Sequence, residues 1–163
     1  QQASIMQIWG EEDGETWYSA NWGHATITRR EGKSNISTWS FNVGGTAGGV
    51  TADAKQVYAM RHDKPTVWLL DKKAGTSQGT ITLMGGTLTT TYGSIVALNG
   101  KLYRGNAGTD VWRYDLDTGK HDGMKFTVAA AIYSMAFNGQ EYCISANTTS
   151  VYCYNLFGTT CPP

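Results

Sequence analysis

The sequence is poor in the features that mark several large functional classes. Lys plus Arg number 13 and Asp plus Glu number 13 in 163 residues, so the formal net charge is zero. A neutral chain offers no electrostatic footprint to a polyanion, which argues against nucleic acid and anionic membranes as partners. No apolar run approaches the roughly 18 residues of a membrane-crossing helix. Charged residues are only 16% while hydrophobic residues are 40%, a balance that suits a packed core and excludes disorder. Long apolar stripes at helical spacing are missing, which removes helical bundles. There are three histidines, scattered, and three cysteines, Cys143, Cys153 and Cys161, with no Cys-x-x-Cys pair and no nearby His, so no zinc pattern forms.

What is present points to an extracellular chain. The sequence starts Gln1-Gln2, with neither an initiator Met nor an apolar leader, which is the expectation for a mature N-terminus after signal removal. Two N-glycosylation sequons occur, at Asn35 (Asn-Ile-Ser) and Asn147 (Asn-Thr-Thr). The cysteines fit one structural disulfide with one thiol left over. Cys161 lies in the terminal segment Thr160-Cys161-Pro162-Pro163, so a bridge from Cys161 to Cys153 or Cys143 is expected, with a bridge between chains as the alternative.

Glycine is frequent, at 20 residues, and short alternating segments separated by Gly and Asn run the length of the chain, which indicates an all-β fold. These segments repeat. Val67-Trp68-Leu69-Leu70-Asp71, Val111-Trp112-Arg113-Tyr114-Asp115 and Val151-Tyr152-Cys153-Tyr154-Asn155 align at offsets of 44 and 40, each before a glycine-containing turn (Gly75, Gly119, Gly158). Upstream of each lie a Tyr-bearing strand and a short apolar strand. A diverged copy opens the chain with Ser4 to Trp9, Thr16 to Ser19 and Ala25 to Arg29, so that Tyr18, Tyr58, Tyr103 and Tyr142 recur every 39 to 45 residues. Fourth strands are expected at Ile36 to Phe41, Thr80 to Met84 and Met124 to Val128, and none in the last repeat.

Units of this size are propeller blades, and alternation places Trp and Tyr where stacked blades bury them. Asn99-Gly100-Lys101-Leu102-Tyr103, followed by Val111 to Lys120 with its Thr118-Gly119 turn, resembles a kelch-type blade. Four such units resemble the architecture of hemopexin-type domains. The resemblance implies an architecture and no activity: a single domain over 1–163, a four-bladed β-propeller with an incomplete last blade. The blades fall at about 4–44, 49–90, 94–130 and 134–158. A β-sandwich, or two chains pooling blades into one ring, is the alternative.

With strands a to d running from centre to rim, the b–c loops and d–a links share one face. That face collects Trp22, His24, Arg61, His62, Asp63, Tyr92, Asn106, Asp110 and Tyr133 as candidate ligand-binding residues, because loops on a rigid scaffold carry binding groups. His24 and His62 occupy equivalent loops and suggest a haem or metal carrier as one alternative, although no carboxylates back them. No catalytic residues are assigned. There is no Gly-x-Ser-x-Gly elbow, no support for a triad, and Glu11-Glu12-Asp13 reads as a solvated turn. The expectation is therefore a secreted, non-catalytic, lectin-like protein, in which Trp22 stacks on a sugar and Asn and Thr groups bind its hydroxyls. A structural or protein-interaction module is the alternative. Glycans or extracellular proteins are the expected partners, with homo-oligomers allowed and the cofactor unknown.

Overall fold

The computed structural model describes residues 4–33, 36–86, 93–105, 108–137, 141–145 and 150–155. The sequons at Asn35 and Asn147, together with Tyr92, Asn106 and Cys161, lie outside these residues. Fifteen strands and no helix are seen among the described residues. Blade 1 is β1 (Ser4–Gly10), β2 (Thr16–Trp22), β3 (Thr26–Glu31) and β4 (Ile36–Asn42). Blade 2 is β5 (Ala47–Ala52), β6 (Val57–Arg61), β7 (Thr66–Leu70) and β8 (Ser77–Thr82). Blade 3 is β9 (Ile95–Leu98), β10 (Lys101–Gly105), β11 (Asp110–Asp115) and β12 (His121–Thr127). Blade 4, among the described residues, is β13 (Ser134–Phe137), β14 (Glu141–Ser145) and β15 (Val151–Asn155). Each sheet is an antiparallel meander in chain order, and the four sheets form a four-bladed β-propeller.

Two fourth strands begin about three residues earlier than the sequence spacing suggests, at Ser77 and His121. The cause is the preceding turn. In blade 2 the Asp71 carboxylate accepts the amides of Lys73 and Ala74, and Gly75 takes a left-handed φ of 70°. The chain therefore reverses within the turn and pairs at once.

The alternation expected from sequence is what packs the blades together. In β2, Tyr18 and Ala20 point toward blade 2, where they join Ile27, Val50, Val57 and Leu70 in a buried cluster flanked by Trp9, Phe41 and Trp68. Tyr58, Met60 and Val67 of blade 2 meet Ile95, Leu102 and Tyr114 of blade 3. Val96, Tyr103 and Val111 of blade 3 meet Met135, Ile144 and Tyr154 of blade 4. A buried Leu, Ile or Phe contributes roughly 1.5–3 kcal/mol. Three apolar junctions of this kind give the ring its core.

The axis is closed by a polar group. Gln7, on β1, is 1% exposed. Its Nε2 donates to the carbonyls of Ile95 (2.6 Å) and Met135 (2.9 Å), and its Oε1 accepts the amides of Val50 (3.0 Å) and Ile95 (3.1 Å). One side chain of blade 1 thus binds the inner strands of the other three blades. Gly49 permits the approach, because a Cβ there would overlap the Gly93 carbonyl and press on Gln7. Two further bonds join neighbouring inner strands, Ala97 N–H to Thr51 Oγ1 (3.0 Å) and Met135 N–H to Ser94 Oγ (2.9 Å).

The disulfide corrects the expected pairing. The bridge joins Cys143 to Cys153, whose Cα atoms are 4.1 Å apart, and so excludes a bridge from Cys161 to either. The reason is register: Cys143 and Cys153 lie directly opposite each other on β14 and β15.

Replacing Gln7 with Leu keeps a similar volume and strands several buried backbone groups, each worth roughly 1–3 kcal/mol. Gln7→Leu is expected to cost about 3 kcal/mol or more in chemical denaturation. A loss below about 1 kcal/mol would contradict the axial role.

Candidate functional site

The face formed by b–c loops and d–a links does not assemble a convergent site from its described residues. Trp22, at the end of β2, and His62 are brought together, edge to face with ring centroids 5.2 Å apart. Arg61 and Asp63 engage each other in a two-pronged pair (2.9 and 3.0 Å). That pairing holds the Asp63 carboxyl below its ordinary value, and Arg61 in turn lies against Gly45. Asp110 accepts the Thr127 hydroxyl (2.7 Å) and faces Lys125 (3.9 Å). His24 is exposed and joins the chain through backbone bonds to Asn21 and Ala47. The Tyr133 amide donates to the Ser145 carbonyl. Central-channel carriage of haem or metal meets a filled axis at the level of Gln7. Among the described residues, Glu141, Cys143 and Cys153 lie close enough to hold an ion, but both sulfurs are spent in the disulfide.

A shaped space lies at the other end of the axis. A cleft of about 860 Å³ opens on the face of the a–b and c–d turns. This is within the size range of small-ligand sites. Its floor is apolar and comes from the ends of all four inner strands: Trp9, Ala52, Leu98 and Phe137. Trp9 packs against both the blade 1–2 cluster and the blade 3–4 cluster, which fixes it at the centre. The rim is charged with both signs, Glu11, Glu12, Asp13 and Asp53 against Arg29, Lys72 and Lys73, with Asn99 completing it.

Several rim groups are held by bonds within or between their turns. The Asp13 carboxylate accepts the amides of Glu15 and Thr16 (2.8 Å each) and the Thr16 hydroxyl (2.7 Å). Those donors hold its carboxyl down at about 2. Asp53 repeats the device in blade 2, accepting the amides of Lys55 and Gln56 and the Tyr58 hydroxyl (2.6 Å). Glu11 accepts the Tyr18 hydroxyl (2.8 Å) and pairs with Lys72 (2.7 Å), a bond that ties the first turn of blade 1 to the third of blade 2. Burial, and then the Glu11 hydrogen bond, raises the Tyr18 phenol above its ordinary value. The Lys72 turn is anchored from beneath by the indole N–H of Trp39, which donates to the Lys72 carbonyl (2.8 Å), while Gly75 lets the turn lie flat on that ring.

Chemically, Glu11 is neutralised and Asp13 and Asp53 are turned back on their own backbones. The cleft combines an aromatic floor with charged donors and acceptors above it. Sequence reading passed over this face because its turns are ordinary hairpin connections. The signals were the doubled charges Glu11-Glu12 and Lys72-Lys73 on turns that share it, with Trp9 at a strand end.

No protein-family model matches the chain, and no curated protein matches it. Solved structures do. The glutaminyl cyclase of Myxococcus xanthus superposes with a TM-score of 0.79 at 15% identity, covering 96% of this chain and 68% of that one. The computationally designed Ika4 protein gives 0.61 at 12% identity, over 95% and 92% of the two chains. The hydrazine synthase of Kuenenia stuttgartiensis gives 0.65 at 13%, covering 99% of this chain and 49% of that one. At such identities the likeness is one of fold, and the propeller is what the comparisons share with this chain.

Asp13 supplies a pH test. Its folded pKa of about 2 lies below the ordinary 3.8, so its contribution is complete above about 4 and is lost as pH falls toward 2. Asp13→Asn is expected to remove that part of the acid dependence of thermal stability. Superimposable profiles for variant and parent between pH 4 and pH 2 would contradict the role.

Proposed function

We propose that the protein is a non-catalytic recognition module of the lectin type, taking carbohydrate in the cleft between the a–b and c–d turns. The observation that carries this reading is the composition of the cleft: the Trp9 ring in the floor, with Glu12, Lys73 and Asn99 at the rim. An aromatic face stacks on the C–H groups of a sugar ring, and amide, carboxylate and ammonium groups bind its hydroxyls. The zero net charge suits an uncharged polyol better than a phosphate ester. This moves the proposed site from the face of Trp22 to the opposite one, because on the former Arg61 is paired with Asp63 and Trp22 with His62.

A protein-interaction module is the second reading, favoured by the apolar breadth of the floor, to which Ala52, Leu98 and Phe137 also contribute. Secretion is part of the proposal and is supported by the Cys143–Cys153 bridge, since disulfides persist in oxidising compartments.

The test is a carbohydrate array followed by titration of the best hit with tryptophan fluorescence as readout. Lys73→Ala, at an exposed turn, is expected to weaken binding roughly tenfold with the fold intact, and Trp9→Ala to abolish it. An array with no hits, or a hit insensitive to both substitutions and lost on changing Trp22, would overturn the assignment.

A further inference from the structure

The tip of the β9–β10 hairpin carries a chemistry that the packing of the ring does not use. Asn99 and Gly100 form the loop between Leu98 and Lys101, which pair directly. Both have positive φ, 50° and 77°, the conformation of the tight hairpin turn that Asn-Gly favours. Both are exposed. A Cβ added at Gly100 would meet nothing within 4 Å, so no neighbouring group crowds that residue. Among the described residues, neither the Asn99 side chain nor the Gly100 N–H makes a hydrogen bond, while the Gly100 carbonyl accepts the Leu116 amide (3.0 Å). Asn21 and Asn42 differ. Asn21 is buried, its Oδ1 accepting the Ser19 hydroxyl and its Nδ2 donating to Thr26 and Thr28. Asn42 accepts the Gly44 amide (2.7 Å) and precedes the branched Val43.

The Cγ of an asparagine is an electrophile within reach of the backbone nitrogen that follows it. A side chain on the following residue obstructs the attack, and glycine has none. A hydrogen bond to the side-chain amide opposes the rotation that brings the two atoms together. Asn99-Gly100 carries neither restraint, and an exposed loop tip opens locally without unfolding of the ring. We propose that Asn99 is a site of intramolecular deamidation. The Gly100 nitrogen attacks the Asn99 Cγ, the bond from Cγ to the side-chain nitrogen breaks, and that nitrogen departs as ammonia with the Gly100 proton. A succinimide ring remains. Water then cleaves the ring at one of its carbonyls: at Cγ it gives aspartate, and at the backbone carbonyl it gives isoaspartate. Asn99 stands on the rim of the cleft, so either product sets a carboxylate where a neutral amide stood. That change of charge is the same whatever the cleft binds.

The experiment is incubation of the full chain in warm, mildly alkaline buffer, with tryptic peptides read by mass spectrometry at intervals. In the folded protein the Asn99 peptide is expected to gain the mass difference between an amide and an acid and to separate into aspartate and isoaspartate forms. The Asn21 and Asn42 peptides should keep their amides over the same interval. Buffer made with isotopically heavy water should place the heavy oxygen in the new carboxylate. Asn138-Gly139, which lies outside the described residues, falls in a different tryptic peptide and is read separately. Asn99→Gln, which would have to close a larger ring, should lose the conversion with an unchanged circular dichroism spectrum. An Asn99 peptide that keeps its amide in the folded chain would overturn the proposal, whether or not it converts in denaturant. So would conversion at Asn21 or Asn42 as fast as at Asn99.

Discussion

The ring depends on one amide. Gln7 reaches from blade 1 and makes four hydrogen bonds to β5, β9 and β13, so every inner strand is held by a single buried side chain. The innermost strand of a blade has one edge turned to the axis, with backbone groups that no neighbouring strand satisfies. In a wide ring those groups face water. In a ring of four they face one another across a space too narrow for solvent, and leaving them bare would cost about 1–3 kcal/mol each. A primary amide has two donors and two acceptor sites, which matches the demand. The small residues around it follow from the same constraint: Gly49 gives room, and Ser94 and Thr51 are short enough to bond the adjacent inner strand without spreading the blades.

A closed axis decides where function can sit. A ligand cannot occupy the channel at the level of Gln7, so it is confined to an end. At one end the loop residues pair among themselves, Arg61 with Asp63 and Trp22 with His62. At the other, Trp9 near the end of β1 packs against the blade 1–2 and blade 3–4 clusters and lines the floor. The turns around it are stiffened by acids hydrogen-bonded to the backbone or paired with Lys72, so the rim is held in place. Preorganisation of this kind favours recognition.

Much of this architecture was legible in the sequence because a blade writes a strong local signal. The recurring Tyr18, Tyr58, Tyr103 and Tyr142 and the Val-Trp and Val-Tyr third strands marked the repeat and its length. The strand starts at Ser77 and His121 were harder, since they depend on turns whose Asx bonds and glycine φ values have no periodicity. Gln7 was not legible as a keystone. A Gln in an alternating strand reads as solvent-facing, and its partners lie 43 to 128 residues away. The disulfide was misread for a similar reason: the proximity of Cys161 to the chain end suggested an anchor, while the register of β14 against β15 set the pair. The cleft was missed because it is made of strand ends from four repeats, each unremarkable alone.

Amide hydrogen exchange at single-residue resolution tests the axial account most directly. The Val50 and Ile95 amides are bonded to Gln7 and to no strand of their own sheets. The account predicts that they exchange as slowly as the ladder amides at the centres of β6 and β10. Exchange at the rate of an exposed strand edge would show that the axis is open to water and that Gln7 does not hold the ring.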